Sequence, residues 1–527
     1  MLPWRLWQWR GRIALLCLAA VAAFGLYLYV DYWNRDRPQA FFDNGLQQFK
    51  YGSTGGERIA GIPAGIFKAL PTLCRDYLPR NADGSPGEGW QALGFTYEPG
   101  MDRPVGTSMR HSLGFDRIAL NCAACHTGTW REAPSSAAHA VAGMPAQRLD
   151  LTAFARFMVS CAMDERFNPW QVIQAAEATG EHYSWFQRQL LQYVAVPAMR
   201  EGLILLNFRF RFIDHEVAPG PGRFDTFGPE KALLNWPLEL LPPRQTTGVV
   251  DFPSLWLQAP REGMHLHWDG NNDSLEERNR SASFGTGAVP TTADRASLSV
   301  ISAWLRSPAN QPPSYPFPID RTLADRGKPI YEQYCASCHG KNGRDFSGQR
   351  VGTPDPIEHI RTDPCRLDNY TAELAQEQGN LYAAYPAERF SHFRKTHGYA
   401  NMPLDGIWLR APYLHNGSVP TVRDLLEPTS NRPPVFYRGG DVVDQQRLGF
   451  VADTPTEGNR TLSRYETKCV AGAACVAEAN PENGHDSNVC LPGKWAGNSN
   501  SGHEGPDYGT ELPAADKDAI VEYLKTF

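Results

Sequence analysis

Two short stretches of the chain combine residue types that carry redox chemistry: Cys122-Ala-Ala-Cys125-His126 and Cys335-Ala-Ser-Cys338-His339. Both have the form C-x-x-C-H, the pattern of covalent c-type haem attachment. The spacing has a physical basis. Two thiols one helical turn apart form thioethers to the two vinyl groups of one haem, and the adjacent histidine then lies under the iron as its proximal ligand. With 11 cysteines and 14 histidines in 527 residues, the expected number of chance matches is roughly 0.006. Two incidental matches are therefore excluded. A redox dithiol or a zinc ribbon is the competing reading of each C-x-x-C pair, but a zinc ribbon wants a second such pair nearby.

What faces each iron from the other side decides its chemistry. A filled sixth position makes a redox relay, and an open one admits peroxide or dioxygen. Among the remaining histidines and the nine methionines, two stand out by context. His415 lies in Ala411-Pro-Tyr-Leu-His415-Asn-Gly417, and His503 lies in Asn498-Ser-Asn-Ser-Gly-His503-Glu-Gly505, just before the final segment. A glycine-flanked histidine on a loop approaches a flat ligand closely. Composition does not choose between them. For the N-terminal haem, His111, His139, His265 and His267 have too similar contexts to rank. Met402-Pro403 has the look of a methionine-ligand loop, and Arg361, Asp363 and Arg366 are candidates near haem carboxylates.

The elements that must position these groups are mostly helical. Leu149 to Met163, Pro169 to Thr179, Tyr183 to Phe208, Arg321 to Tyr334 and Pro513 to Phe527 have helical spacing or character, and strand patterns are weak. Forty-seven glycines and 42 prolines predict long loops. Punctuation falls at Asn81–Gly89, Ala218–Gly222 and Ser307–Pro318, and the last is the best candidate for a linker between domains. The expected class is mainly α: two cytochrome-c-like haem domains, residues 31–312 and 313–527, preceded by one transmembrane helix with a cytoplasmic tip, residues 1–30.

Ile13 to Val30 carry no charge, and as a helix they span about 27 Å, near the ~30 Å apolar thickness of a bilayer. Arg5, Arg10 and Arg12 precede the run, which places the N-terminus inside and the bulk of the chain outside. Trp4, Trp7, Trp9, Tyr29, Tyr32 and Trp33 flank it as interfacial anchors. A cleaved signal peptide at Ala20-Val21-Ala22 is the rival reading, and the apolar run continues past it. Either way the haem domains are expected in the periplasm, held to the inner membrane by a single pass if the helix is retained. Export suits the haem motifs, since haem c is attached outside the cytoplasmic membrane. It also allows disulfides, among which Cys469, Cys475 and Cys490 in the polar insertion Glu466–Gly502 are candidates. The net charge of −6 excludes a nucleic-acid footprint and, once the N-terminal arginines are set aside, favours a partner with a positive docking face.

The chain resembles the bacterial di-haem cytochrome c peroxidase superfamily, and within it the branch containing the rubber oxygenases. The resemblance spans most of residues 50–527. It rests on Tyr51-Gly-Ser53, Asn121 to His126, Pro221-Gly-Arg-Phe-Asp225, and His267-Trp268-Asp-Gly270 followed by Ser274-Leu275-Glu276. It continues through Tyr334 to Gly340, Ala411 to Gly417, and the terminal Gly509-Thr-Glu-Leu512 and Tyr523-Leu-Lys525. The resemblance implies that Trp268 relays electrons between the haems, that His503 is the sixth ligand of the C-terminal haem on His339, and that the N-terminal haem on His126 is the reactive one. It also implies one calcium ion between the domains, a small oxidant (peroxide or dioxygen), and an electron-donor protein or membrane redox partner. Typical peroxidases of this family place a distal glutamate after the W-D-G block. Here Ser281 to Thr292 contain no carboxylate and one bulky residue, Phe284, which is expected in a dry distal pocket. That departure puts classical peroxidase turnover in doubt, since a general acid–base group contributes ~10²–10⁴-fold. An oxygenase acting on an apolar substrate and a relay without substrate are the two rival functions.

Overall fold

The computed structural model describes residues 2–30, 36–38, 41–42, 44–212, 218–467 and 497–527. Tyr32, Trp33 and the three cysteines at 469, 475 and 490 lie outside the described residues. Helices take up about 43% of the structure and strands 13%, so the chain is predominantly helical with more pairing than the sequence patterns suggest. Most strands are short ladders that pin loops. The largest sheet has four strands in the order Arg37–Pro38, Thr107–Ser112, Phe115–Leu120, Ile62–Pro63. Its central pair closes through Leu113-Gly114, both at positive φ (55° and 82°), the geometry of a two-residue hairpin turn.

The N-terminal apolar helix, Leu2–Leu28, contains a 20-residue stretch, Trp9–Leu28, of mean hydropathy 2.0 with none of its residues buried, though the Phe24 ring meets Phe186 at 6.0 Å. By length and composition it can cross a membrane as an anchor or serve as a signal sequence.

Two large apolar cores organise the rest. The first is drawn from Ala64 to Phe252 and centres on Trp90, which meets Phe67, Phe95, Phe154 and Phe157 at 4.6–6.1 Å. A disulfide, Cys74–Cys161, ties the helix Leu151–Met163 to the C-cap of Ala64–Leu73 within it. The second core comes mainly from Tyr315 to Leu524, with Met144 and Trp256 reaching in from the first half. Its centre is the crossing of Arg321–Tyr334 with Ala514–Leu524. The axes approach closely because Gly327 has no side chain, and a Cβ there would strike the Ala519 carbonyl.

Four expected helices are present within three residues of their expected ends, as Leu151–Met163, Pro169–Ala178, Arg321–Tyr334 and Ala514–Leu524. The fifth is divided. Trp185–Leu190 and Val196–Phe210 flank a π-helical turn, Leu191–Ala195. The segment Ser307–Pro318 is pinned rather than loose. The Asn310 amide donates to the carbonyls of Leu255 and Leu305, and the Pro313 carbonyl accepts from Trp408 Nε1. Proline density signalled the loss of helix there but said nothing about burial.

Candidate functional site: two C-x-x-C-H turns and the cavity between them

Each cysteine motif is held by its flanks. Asn121 caps the turn Cys122–Ala124 by accepting from the Ala123 amide, and its own amide donates to the carbonyls of Lys50 and Gly52. The second motif begins at the C-cap of Arg321–Tyr334 and continues as Ala336–His339, with the Tyr331 hydroxyl donating to the Gly340 carbonyl. All four thiols are free and half-buried. Among the described residues no group of three or more His, Cys, Asp or Glu is arranged to hold a metal ion, which leaves the zinc reading without a donor set.

Both motif histidines have their rings oriented in the same way. His126 Nδ1 donates to the Pro253 carbonyl at 2.8 Å, and His339 Nδ1 donates to the Met402 carbonyl at 2.7 Å. A backbone acceptor on Nδ1 fixes the tautomer and leaves Nε2 as the ligating atom. Met402 thus enters through its carbonyl oxygen, not as the methionine ligand its context suggested. Burial, joined at His126 by the Arg278 charge, lowers the basicity of both rings, His126 to about 3, so both are neutral and competent as ligands.

His339 faces His503, with ring centroids 6.2 Å apart and planes inclined by 40°. Two imidazoles bound through nitrogen to one metal at about 2 Å, each ring centre about 1 Å further back, stand roughly 6 Å apart. The loop reaches this position by strain. His503 has φ 49°, and its amide donates to the Ile360 carbonyl at 2.8 Å. Gly502 before it has φ 79°, and a Cβ there would strike the backbone at Ile360 to Thr362. A non-glycine residue in this region costs about 1–3 kcal/mol and persists only where surroundings impose it. His503 Nδ1 is buried without a hydrogen-bond partner. The ring lines the cavity beside His339.

His415 is placed otherwise. It is 4% exposed and stacked on Tyr399 at 4.0 Å, and Tyr399 in turn packs with Trp268. It shapes the space beside Trp268 and does not pair with either motif histidine.

Trp268 is tied to both motifs through two short backbone segments. Its indole Nε1 donates to the Asp251 carbonyl at 2.7 Å, two residues before the Pro253 carbonyl that holds His126. Its own carbonyl accepts from the Ala400 amide at 2.8 Å, two residues before the Met402 carbonyl that holds His339. Gly270, at φ 65°, lets this turn press against Pro354 and His265.

A cavity of about 480 Å³ runs past these groups, from His339 and His503, by Trp268 and His415, to His267 and Arg278. That size and its largely apolar wall are those of a small-molecule or cofactor site. Arg261 and Arg410 both enter it and share one buried carboxylate, Asp405, leaving one positive charge in excess for a carboxylate-bearing ligand. Arg366 does not play that part. It pairs with Asp269 at 2.8 Å and lies 4.3 Å over Phe227, so it braces the turn that carries Trp268. Asp251 is buried against Arg438 and Arg223, and burial pushes its carboxyl up to about 6.

Phe284 is not brought to this cavity. Ser274 caps a helix, Leu275–Gly285, that reading Ser281 to Thr292 as a pocket lining overlooks. Leu275 and Arg278, three residues apart, face the cavity. Phe284 is nine residues from Leu275, two and a half turns at 3.6 residues per turn, and so points the other way. It packs on Tyr382 and Phe390 at 4.7 and 5.7 Å. The signal was available in the Ser274…Glu277 capping pattern, which predicts a helix start and hence the faces of both residues. Of the other histidines weighed for the first site, His111 pairs with Asp116 in the sheet and His139 stacks on Trp130, while His265 lines the cavity and donates to the Gly270 carbonyl.

Residues 398–437, the stretch that holds Met402, Arg410 and His415, match the family model described as RoxA-like, cytochrome c-like. The chain carries a cytochrome c-like domain. That domain implies covalently bound haem c, and the C-x-x-C-H residues and the facing imidazoles of His339 and His503 fit it. The match also supports the branch containing the rubber oxygenases. Two curated proteins of Sinorhizobium fredii (strain NBRC 101917 / NGR234) are similar. "Uncharacterized protein y4iM" is 30% identical over 313 residues, covering 54% of this chain and 66% of that protein, just under two thirds of its length. "Uncharacterized protein y4iJ" is 25% identical over 495 residues, covering 78% of this chain and 76% of that protein. The family match supports a haem-containing redox protein.

Proposed function

We propose that the chain is a di-haem c-type oxidoreductase, peroxidase-like in its division of labour, with one haem on Cys122, Cys125 and His126 and a second on Cys335, Cys338 and His339. The asymmetry of the two histidines carries this reading. His339 is faced by His503 at 6.2 Å, whereas among the described residues the His126 ring is not paired with a second imidazole. A haem held by two histidines exchanges electrons, and one held by a single histidine binds small oxidants such as peroxide or dioxygen. The chain's own residues then have distinct tasks. Pro253 and Met402 hold the proximal tautomers through their carbonyls. His503 closes the second site. Trp268, tied to the two segments whose carbonyls hold His126 and His339, lies on the electron route, and the apolar walls keep water from the reacting group.

Electrons come from a donor protein or a membrane partner through the second site. The N-terminal helix anchors the chain in the inner membrane by a single pass, with the haem domains in the periplasm. The Cys74–Cys161 disulfide supports that oxidising compartment. The apolar cavity and the RoxA-like match favour one further reading, in which dioxygen at the first site attacks an apolar substrate.

The test is rapid-mixing optical spectroscopy of the half-reduced protein with hydrogen peroxide. A fast Soret shift with oxidation of the second haem is the expected result. No change on mixing removes the peroxidase reading, and carbon monoxide binding then separates the oxygenase from an inert relay.

A further inference from the structure

Ser281 to Thr292 contain no carboxylate, and among the polar side chains that line the cavity are His267 and Arg278. The His267 ring is fixed. Its Nδ1 donates to Asn271 Oδ1 at 2.6 Å, and its face lies on Phe393 at 6.0 Å and 21°. Its backbone is held at φ 63°, a strained value for a residue with a side chain. Asn271 is 1% exposed, and its carbonyl accepts from the Arg394 amide, so the acceptor is itself held. With the proton on Nδ1, Nε2 keeps its lone pair. Arg278 has no hydrogen bond or ion pair on its guanidinium among the described residues. A cation half-withdrawn from water without a partner is costly, and the cost is met when a ligand brings negative charge to it.

We propose that His267, oriented by Asn271, and Arg278 form the distal pair of the first haem site and do the work of the missing carboxylate. His267 takes the proton of an incoming protonated oxidant, and Arg278 stabilises the negative charge on the atom that departs. This rests on the reading that His126 carries a haem whose other face is open. For hydrogen peroxide the O–O bond breaks, two electrons arrive from the donor protein through the second haem, and two protons from solvent complete two waters. His267 receives a proton from one oxygen and returns it to the other, so the pair is unchanged at the end. Burial and the Arg278 charge hold His267 down to about 4, which keeps it neutral and ready to accept. The rival role for Arg278 is a haem carboxylate partner. In that role Arg278→Leu would leave anion affinity unchanged, which fluoride binding reads.

The experiment is anion binding to the full-length ferric holoprotein, followed at the Soret band, with haem content measured in every variant. Hydrogen cyanide must surrender its proton to bind as the anion, so a distal base speeds its entry. His267→Leu is expected to slow cyanide association about 100-fold, the low end of general-base contributions. Arg278→Leu is expected to weaken fluoride about 10-fold or more, with partial recovery in Arg278→Lys, as a charge-assisted hydrogen bond requires. Should His267→Leu fail to load haem, His267→Gln and Asn271→Leu carry the same comparison. Unchanged rates and affinities with a wild-type site that binds both anions would overturn the distal pair and leave the open-site reading intact. Faster cyanide entry in His267→Leu would show that His267 ligates iron, which also overturns it. Anion-inert wild type and variants alike would remove the open-site reading together with the pair.

Discussion

In the proposed reading the electron route depends on His503 and Trp268, and each makes a separable prediction. Removing the His503 ring opens the second site without touching the thioether cysteines. His503→Ala is expected to retain full haem content and to raise carbon monoxide binding by the reduced protein from about one to about two per chain. Binding that stays at the wild-type value would show that His503 is not a ligand. Trp268→Phe keeps an aromatic ring but loses the indole donor to the Asp251 carbonyl. Peroxide-driven oxidation of the second haem is expected to slow several-fold in stopped-flow traces, with both Soret bands unaltered. An unchanged rate would make Trp268 a packing residue. At this scale the C-x-x-C-H residues were fully legible in the sequence, because thioether chemistry needs only neighbours in the chain. His503 was legible only as one of two glycine-flanked histidines, because its partner His339 is far away in sequence.

Elements explain where side-chain reading fails. The capping serine at 274 turns an apparent small-residue loop into the helix Leu275–Gly285, and helical periodicity then separates Arg278 from Phe284 by face. A second pair of helices shows how burial alone creates a pH response. Glu230 on Phe227–Leu233 accepts from the Gln378 amide on Ala372–Leu381, and burial pushes its carboxyl up to about 7. An unfolded glutamate titrates near 4.3, so between about pH 4.3 and 7 the folded chain holds a proton that the unfolded chain has released. The stability this contributes is complete below that window and is lost as pH rises through it. Glu230→Gln is expected to flatten the fall in stability between pH 5 and 8, by on the order of 1–2 kcal/mol in urea titrations. A slope equal to that of the unsubstituted chain would refute the assignment. No periodicity announces such a group, since a glutamate one turn from solvent and one beneath a neighbouring helix look alike in sequence.

At the scale of the whole molecule, two cores and one disulfide bear the load of positioning. Cys74–Cys161 spans 87 residues and lies inside the core built around Trp90. Loop entropy assigns such a bridge about 4–5 kcal/mol. The double substitution Cys74→Ser/Cys161→Ser is expected to lower the first thermal transition by roughly 10 °C while both haem spectra persist. Loss of less than a degree would place the stabilisation elsewhere. The apolar N-terminal helix makes almost no such contribution, since none of Trp9–Leu28 is buried and Phe24 meets Phe186 only edge-on. A chain beginning at residue 31 is expected in the soluble fraction with its haem spectrum intact, and retention in the membrane pellet would point to a second attachment.

By itself the sequence determined the two C-x-x-C-H motifs, the apolar N-terminal segment, most long helices and the resemblance to di-haem cytochromes. All of these are written in short-range spacing: a two-residue gap, a charge-free run, a 3.6-residue period. Tertiary structure decided that His503 and not His415 faces His339, and that Met402 acts through its backbone. It also decided that Arg366 braces Asp269, that Trp268 is fastened to the two segments whose carbonyls hold His126 and His339, and that Phe284 points away while His267 and Arg278 point in. Each of those outcomes depends on which distant segment supplies the neighbouring atom. A backbone carbonyl, a positive-φ loop or the far face of a helix acquires its role only when packing brings the other half of the contact into reach.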